Sequence, residues 1–378
     1  MTIRHSATPK HLATLSYALI VVGAWMLLRD GDRWVVATAF TYGPRWILLV
    51  PAVPLVLLGV GATRFGAVVL SVTTLLVAGP VMAFNVPGGL GTTDDRAVGA
   101  AAVEPANINL KIVSINLDSG EYDHAQLDTL LQQEEPDILL AQECDLASGN
   151  RLRLYFPYVR EGRGLCAAAR GRISPPRLAE RLRPARDDAA AAEYVIETAG
   201  QRLRVANLHL DTPRTVLELA VRDGWRAAPA EDEAMALRAQ ESAMVRQWLS
   251  RDTDIVAGDF NQTVDSALYQ RDWAAYRNAF SEVALGFGYT KFTTWFGARI
   301  DHVLTAPRVE PLTCRVASDI GSDHRPVVAV VRIPPPPSLR QIASAHSTNR
   351  CLTSGAVMKV AFSVGACQHD AGAAVILR

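Results

Sequence analysis

Polar residues recur at the ends of short apolar runs in this chain. Asn116 closes LKIVSIN (110–116), and Glu143 closes DILLAQE (137–143). His209 and Asp211 stand at the end of QRLRVANLHL (201–210). Asp259 and Asn261 follow DIVAG, and Asp301 lies in RIDHVL (299–304). Asp323 and His324 immediately precede RPVVAVVRI (325–333). Carboxylates with neutral amides form the donor set of a hard divalent cation such as Mg²⁺, which takes oxygen ligands and keeps several waters. Glu143 supplies one carboxylate, with Asp259 or Asp323 as the next. Asn116 and Asn261 can contact metal or phosphate without repelling an anion. A histidine donates to a phosphate oxygen when protonated and takes a proton from water when neutral. Asp301 can orient one of them and stabilise its charge. Taken singly, Asp323 reads as a turn residue, Asn261 as an Asx-turn and Glu143 as a solvated strand end. The weight lies in the set.

Elements must bring these positions together. Residues 110–116, 137–143, 193–199, 201–210, 254–259, 299–306 and 325–333 read as strands, with a hairpin across Gly200. HAQLDTLLQQ (124–133) and DEAMALRAQESAMVRQWLS (232–250) have helical spacing. Helices and strands mix without strict alternation, which predicts a mixed α/β sandwich. Strand ends converge on one rim of a sheet, where loops build sites on a rigid support.

The rest of the 378-residue chain has a different texture. Lys plus Arg and Asp plus Glu each number 38, so no net basic charge marks a dedicated nucleic-acid-coating protein. Residues 12–84 are apolar, with no Lys. A spanning helix needs about 20 mostly apolar residues, which predicts three spans near 12–28, 46–62 and 65–84. Pro51 and Pro54 fall in the second, where a spanning helix tolerates them better than a soluble one. WVVATAFTY (34–42) is too short to span and is expected along the interface. Basic residues flank both sides of the spans equally, so the side occupied by the catalytic region stays open. Residues 85–107 read as a flexible linker, residues 108–333 as the catalytic domain, and residues 334–378 as a Pro-rich linker and tail of no assigned role. The five Cys form no C-x-x-C pair, so they are expected as isolated small core residues rather than a disulfide framework.

The motifs SIN (114–116), QE (142–143), NLHLDTP (207–213), GDFN (258–261), RIDHVL (299–304) and SDHRPV (322–327) occur in one order over about 225 residues. In this the chain resembles the endonuclease/exonuclease/phosphatase superfamily, which includes deoxyribonucleases, abasic-site endonucleases, sphingomyelinases and inositol-phosphate phosphatases. The resemblance implies a four-layer α/β sandwich, two packed mixed sheets flanked by helices, here preceded by about three transmembrane helices. It implies Mg²⁺, with Mn²⁺ as a substitute, held by Glu143, Asn116 and Asp323. It implies His209 on the scissile phosphate, and Asp259 with Asn261 positioning the nucleophile. It implies His324, oriented by Asp301, as general base or phosphate ligand, with the base role open between Asp259 and His324. Arg170 is expected to reach the phosphate groove, and Asp211 either to contact substrate or only to brace the loop at Pro213. The sequence departs from the family after GRGLC (162–166), where AAARGRISPPRLAERLRPARDD suggests a long loop. That departure leaves open which carboxylate orients His209. His302 and His124 are expected as a structural and a solvated residue.

The resulting expectation is a multi-pass protein of the cell (inner) membrane that hydrolyses a phosphoester, more specifically a phosphodiester. The anchor favours a phospholipid headgroup, and the Arg-rich stretch favours nucleic acid. No protein partner is implied. The contrasting expectation is a catalytically idle, membrane-tethered binding module of the same fold.

Overall fold

The chain is described here from a computed structural model, which covers residues 7–87, 107–183, 188–224 and 228–334. Most of the linker expected at 85–107, and nearly all of the tail after 334, lie outside the described residues.

In chain order the strands are β1 (Ile108–Asn116), β2 (Ile138–Gln142), β3 (Tyr158–Gly162), β4 (Leu165–Ala169), β5 (Arg172–Ile173), β6 (Arg177–Glu180), β7 (Ala189–Thr198), β8 (Gln201–His209), β9 (Ile255–Asp259), β10 (Arg277–Asn278), β11 (Lys291–Phe292), β12 (Gly297–Ala298), β13 (Asp301–Thr305), β14 (Glu310–Val316) and β15 (Val327–Ile333). The helices are α1 (Ala7–Leu28), α2 (Val35–Tyr42), α3 (Ala52–Leu57), α4 (Arg64–Leu76), α5 (His124–Glu134), α6 (Leu146–Leu152), α7 (Arg214–Asp223), α8 (Ala228–Trp248), α9 (Ala267–Asp272) and α10 (Ala279–Val283).

Two sheets form, in the orders β14-β15-β1-β2-β4-β3 and β10-β13-β9-β8-β7-β5, with β6 on β7 and a separate β11–β12 hairpin. The pairs β1–β2 and β8–β9 are parallel, so each sheet is mixed. Apolar runs buried on both faces need cover on both faces. Ile112, Leu140, Tyr194, Val205, Ile255 and Val303 interdigitate between the sheets. Leu127 and Leu131 of α5 cover the outer face of the first sheet against Val113 and Leu139. Val245 of α8 covers the second against Leu208 and Val256. The layers are therefore helix, sheet, sheet, helix.

Two of the family-like motif residues fasten the sheets to each other. Asn207 of β8 is fully buried. Its Nδ2 donates to the carbonyls of Ala141 (2.8 Å) and Cys166 (3.0 Å) in the other sheet. Its Oδ1 accepts from Nε2 of Gln142 at 2.6 Å. This cross-sheet clamp lies one residue below Glu143 and two below His209 in the chain.

Five expectations are corrected. Cys144 and Cys166 form a disulfide, with Cα atoms 5.8 Å apart. The antiparallel pairing of β2 with β4 brings them together, which no spacing in the sequence announces. Cys314 is free and buried. Second, the stretch after Cys166 is not one long loop, because β4, β5 and β6 lie within it and β4 is fully buried. Third, the apolar run 46–62 is not one helix. A 3₁₀ turn at Arg45–Leu49, the six-residue α3 and a second 3₁₀ turn share it, because Pro51 and Pro54 lack N–H donors for a continuous ladder. Two stretches, Pro9–Leu28 and Arg64–Val81, are long and apolar enough to cross a membrane, and Val35–Tyr42 with Arg45–Leu57 makes a pair bent by 87°. The rings of His11 and Phe65 lie 4.9 Å apart, so α4 starts beside the start of α1, and the broken segment returns along α1. The other two corrections concern Arg170 and Asp211 and belong with the site.

The amino-terminal helical segment, expected as a membrane anchor, is fastened to the sandwich. Val35 of α2 packs on Val216, Ala234 and Met235 of α7 and α8. Asp32 forms a fully buried ion pair with Arg238 of α8, and Tyr42 Oη lies 2.8 Å from the same carboxylate. Arg45 pairs with Asp265 (2.5 Å) and donates to the carbonyls of Thr41 and Val81. Asn85 pairs with Gly286 through both backbone bonds, 2.8 and 3.0 Å. The segment expected as a linker is thus docked at its first residue.

Replacing Asn207 by Leu removes three cross-sheet hydrogen bonds from the core, each worth about 0.5–1.5 kcal/mol. Urea unfolding of the detergent-solubilised chain is expected to show a loss of about 2–4 kcal/mol. A change within about 0.5 kcal/mol, the range of ordinary surface substitutions, would remove the clamp from the account.

His302 gives a pH test. It is buried, its Nε2 faces the Gln262 carbonyl (2.8 Å), and its Nδ1 faces the Asn278 amide (3.2 Å). A carbonyl needs a donor and an amide N–H needs an acceptor, so the neutral ring fits both. Burial, then the nearby Arg299 charge, pushes its pKa down to about 4. The unfolded ring therefore binds its proton first as pH falls. The stability is complete above the ordinary value of 6.5 and is lost on descent to about 4. His302→Asn is expected to have a flatter melting-temperature profile than the parent between those pH values. Parallel profiles would show that His302 does not carry the acid limb.

Candidate active site

The ends of β1, β2, β8 and β9 meet at one rim. Asn116 Nδ2 lies 3.4 Å from Oε1 of Glu143 and 3.2 Å from Oδ2 of Asp259. The first contact is within one sheet and the second crosses to the other. Asn116 Oδ1 accepts from the backbone N of Asp118 at 2.9 Å, which fixes the amide's direction. Ser119 Oγ holds the other Glu143 oxygen at 2.9 Å. Glu143 sits at φ +48° and Asn261 at φ +50°. Left-handed backbone is tolerated by Asn but costly for Glu, and such strain gathers at functional positions. The Cys144–Cys166 bond holds the chain immediately after Glu143 to β4.

Asp259 is the centre. Asn261 N donates to its Oδ1 at 2.9 Å. His209 Nε2 lies 3.8 Å and His324 Nε2 3.7 Å from its Oδ2. His209 Nε2 is also 3.6 Å from Glu143. Behind His324, Nδ1 bonds Asp301 Oδ2 at 2.8 Å. Gly258 has φ +143°, and a Cβ there would stand 2.0 Å from the Leu208 carbonyl, so glycine is required for β9 to run this close to β8. Burial, then the Asp301 charge, raises the Asp259 pKa. Burial disfavours a charged His324, but Asp301 and Asp259 outweigh it and raise its pKa to about 9.

These side chains line an open cleft of about 810 Å³, which also includes Tyr42, Asp118, Arg214, Lys291 and Asp323. Asp323 stands on the rim. Its Oδ1 is 3.6 Å from His324 Nε2, while its Oδ2 pairs with Lys291 and lies 3.9 Å from Arg214. Two cations already meet that carboxylate.

Two expected substrate contacts are elsewhere. Arg170 follows β4 at the amino end of β2, where its N donates to the Asp137 carbonyl, and it lines a separate depression with Tyr155. The antiparallel β2–β4 pairing places it at the opposite end of the strand from Glu143. Asp211 turns to Arg183, 3.2 Å away, and its N donates to buried Glu241. Only its neighbours Thr212, Pro213 and Arg214 reach the cleft.

Several cleft residues were not legible in advance. Asp188 lies 3.7 Å from His209 Nδ1 and is itself gripped by Arg181 through bonds of 2.8 and 2.9 Å. It occupies the place of the missing carboxylate beside that histidine. Its only signal was an Asp-Asp pair before an Ala run. Tyr42 comes from the anchor, and its hydroxyl lies 3.0 Å from the Asn261 carbonyl. Arg238 donates to that same carbonyl at 2.8 Å.

The donor set suits a hard cation. Glu143 and Asp259 approach one amide from opposite sheets, and two carboxylates so placed repel unless positive charge stands between them. Asn116 meets both carboxylates with its amide nitrogen, its oxygen being held by Asp118 N. Asp259, Asp301 and His324 also cluster within 4.8 Å. There the nitrogen donor and the Asp301–His324 bond suit an oriented imidazole better than an oxygen-loving ion.

Among solved structures the chain is similar to TDP2 from D. rerio complexed with a single-strand DNA product, at 16% identity and TM-score 0.44 over 59% of this chain and 98% of that one. It is similar to the 3′ phosphatase NExo from Neisseria bound to a product DNA hairpin, at 20% identity and TM-score 0.42 over 58% and 98%. It is also similar to mannosyl-6-phosphatase Bt3783 from Bacteroides thetaiotaomicron VPI-5482, at 16% identity and TM-score 0.42 over 59% and 99%. No curated protein matches the sequence. A family profile matches residues 82–324, more than half of the chain, and takes in every motif above up to the SDH of SDHRPV. The chain belongs to the Endonuclease/Exonuclease/phosphatase family.

Proposed function

We propose that the chain is a membrane-anchored, divalent-cation-dependent phosphoester hydrolase that acts on phosphodiesters. The observation that carries the reading is the convergence of Glu143 and Asp259 on one amide, with two imidazoles beside Asp259. Glu143 would hold the ion, Mg²⁺ or Mn²⁺, with Asn116 beside its carboxylate, and the ion would neutralise charge building on the phosphoryl oxygens. Asp323 is left to the rim, since Lys291 and Arg214 already meet its charge.

Asp259 accepts the proton of the attacking water. Its raised pKa makes it a better base than a free carboxylate, and Asn261 N fixes its orientation. Of the two candidates that the sequence left open, this gives the base role to Asp259. His324 is held charged by Asp301 and Asp259, so it donates to a phosphoryl oxygen rather than removing a proton. His209, oriented by Asp188, donates to another. Donors fixed before reaction favour the transition state without a cost of reorganisation.

The anchor supports a multi-pass reading in which the broken segment 45–62 returns across the bilayer between α1 and α4. The amino terminus and the sandwich then lie on opposite sides. A disulfide persists in oxidising compartments, so Cys144–Cys166 supports an extracytoplasmic sandwich.

Hydrolysis of bis-p-nitrophenyl phosphate by the full chain in detergent tests the activity. Asp259→Asn is expected to lower kcat by about 10²–10⁴-fold. Glu143→Gln is expected to raise the Mg²⁺ concentration for half-maximal rate by about 10–100-fold. Asp301→Asn should lower kcat with little change in KM. Parent-like kinetics in any variant would remove that residue from its role, and no turnover by the parent enzyme with Mg²⁺ or Mn²⁺ would defeat the reading.

Compartment is tested by maleimide labelling of acid-quenched cells. Cys144 and Cys166 are expected to react only after reduction. Reaction without reduction would contradict the extracytoplasmic assignment.

A further inference from the structure

An apolar cavity of about 350 Å³ adjoins the catalytic cleft. One wall comes from the anchor, with Trp46 and Met82. The other comes from the β11–β12 hairpin and its approach, with Tyr289, Phe292, Trp295 and Phe296. Thr293, Phe296 and Ala298 line both this cavity and the cleft, so the two are continuous. The hairpin is fixed to the anchor by side-chain bonds: Trp46 Nε1 donates to the Trp295 carbonyl (3.0 Å), and Tyr289 Oη donates to the Met82 carbonyl (2.8 Å).

Three observations bear on the occupant. The cavity lies where α1 and α4 end against the sandwich, since Met82 directly follows the stretch Arg64–Val81 and Trp46 belongs to the bent pair. Aromatic side chains at the end of apolar helices are the mark of a bilayer boundary. Trp295 is 75% exposed and Val221, on the cleft wall, is 89% exposed, although both are large and apolar. Such exposure next to a site marks a surface that meets an apolar partner. Two cations line the cavity, and neither stands exposed to a polyanionic backbone: Arg45 is bound to Asp265, and Arg299 is buried with its guanidinium 4.6 Å over the Phe280 ring.

We propose that this cavity takes a hydrocarbon chain of a bilayer phospholipid and so presents the lipid's phosphodiester to Asp259 and His324. The inference rests on the hydrolase reading and narrows it to substrates with an acyl or alkyl chain. Nucleic acid has no such group. The lipid need not leave the bilayer completely, because the cavity opens at the level of the helix ends and the phosphate need only cross the shared wall at Phe296.

The test uses the full chain in detergent micelles and a pair of p-nitrophenyl phosphodiesters that differ only in the second alcohol, methyl or hexadecyl. Burying a methylene is worth roughly fourfold in affinity, so even a few in the cavity give the hexadecyl ester at least tenfold higher kcat/KM. Trp295→Ala and Phe296→Ala are expected to reduce that preference to below threefold. Equal turnover of the two esters by the parent, a preference that survives both substitutions, or faster hydrolysis of plasmid DNA than of the hexadecyl ester would overturn the proposal. A second readout needs no turnover. A phosphatidylglycerol carrying a photoreactive diazirine in its acyl chain is expected to label residues 291–298 in the parent and in Glu143→Gln. An unlabelled hairpin overturns lipid binding. Labelling with no hydrolysis of either ester leaves lipid binding standing and defeats the hydrolase reading instead.

Discussion

The proposed catalytic groups stand on two separate sheets, so their alignment depends on what holds one sheet against the other. Asn116 and Glu143 come from the first sheet, and His209, Asp259 and Asp301 from the second. Apolar packing between the faces sets the spacing but is non-directional. The Asn207 amide supplies direction, because its three bonds reach two strands of the opposite sheet and the Gln142 side chain. A slip between the sheets would break those bonds before it moved Glu143 away from Asp259. Two polar residues of the family-like motifs thus serve the site without touching its substrate.

The central strands and helices were legible because their burial follows their sequence pattern. α5 buries Leu127, Leu130 and Leu131 at helical spacing behind an Asp123 cap, and β9 is apolar and buried throughout until Asp259. The rim residues were legible because apolar runs that end in a carboxylate or an amide are uncommon without a reason. Asp211 follows β8 at the rim end but turns its side chain to Arg183, whereas Arg170 failed for a geometric reason. A motif gives the order of residues, but which end of a strand a side chain occupies depends on its pairing. The disulfide, Asp188 and Tyr42 were missed because each depends on contact between segments far apart in sequence. Asp188 follows a stretch dense in Arg and Pro, and Tyr42 lies in a segment that reads only as membrane interface.

Burial explains how neighbouring polar groups come to play opposite parts. His302 and His324 both occupy the interior beside Asp301. His302 meets one carbonyl, one amide and a cation, so it stays neutral. His324 meets two carboxylates, so it keeps its proton. Residue type gave both an equal claim on the chemistry, and the surrounding charges separate them.

The ion pair between Asp32 and Arg238 joins a loop of the anchor to a helix of the sandwich in a place no water reaches. Arg238 also holds the carbonyl of Asn261, so the same guanidinium touches the tether and the loop beside Asp259. A domain on a slack leash would sample every height and tilt above its support. This one is mounted like a tool in a vice, with its working edge at a set depth and angle. On the proposed membrane reading, encounter with a substrate sharing that surface becomes a search in two dimensions, and the orientation that free solution would have to supply by chance is built into the mount.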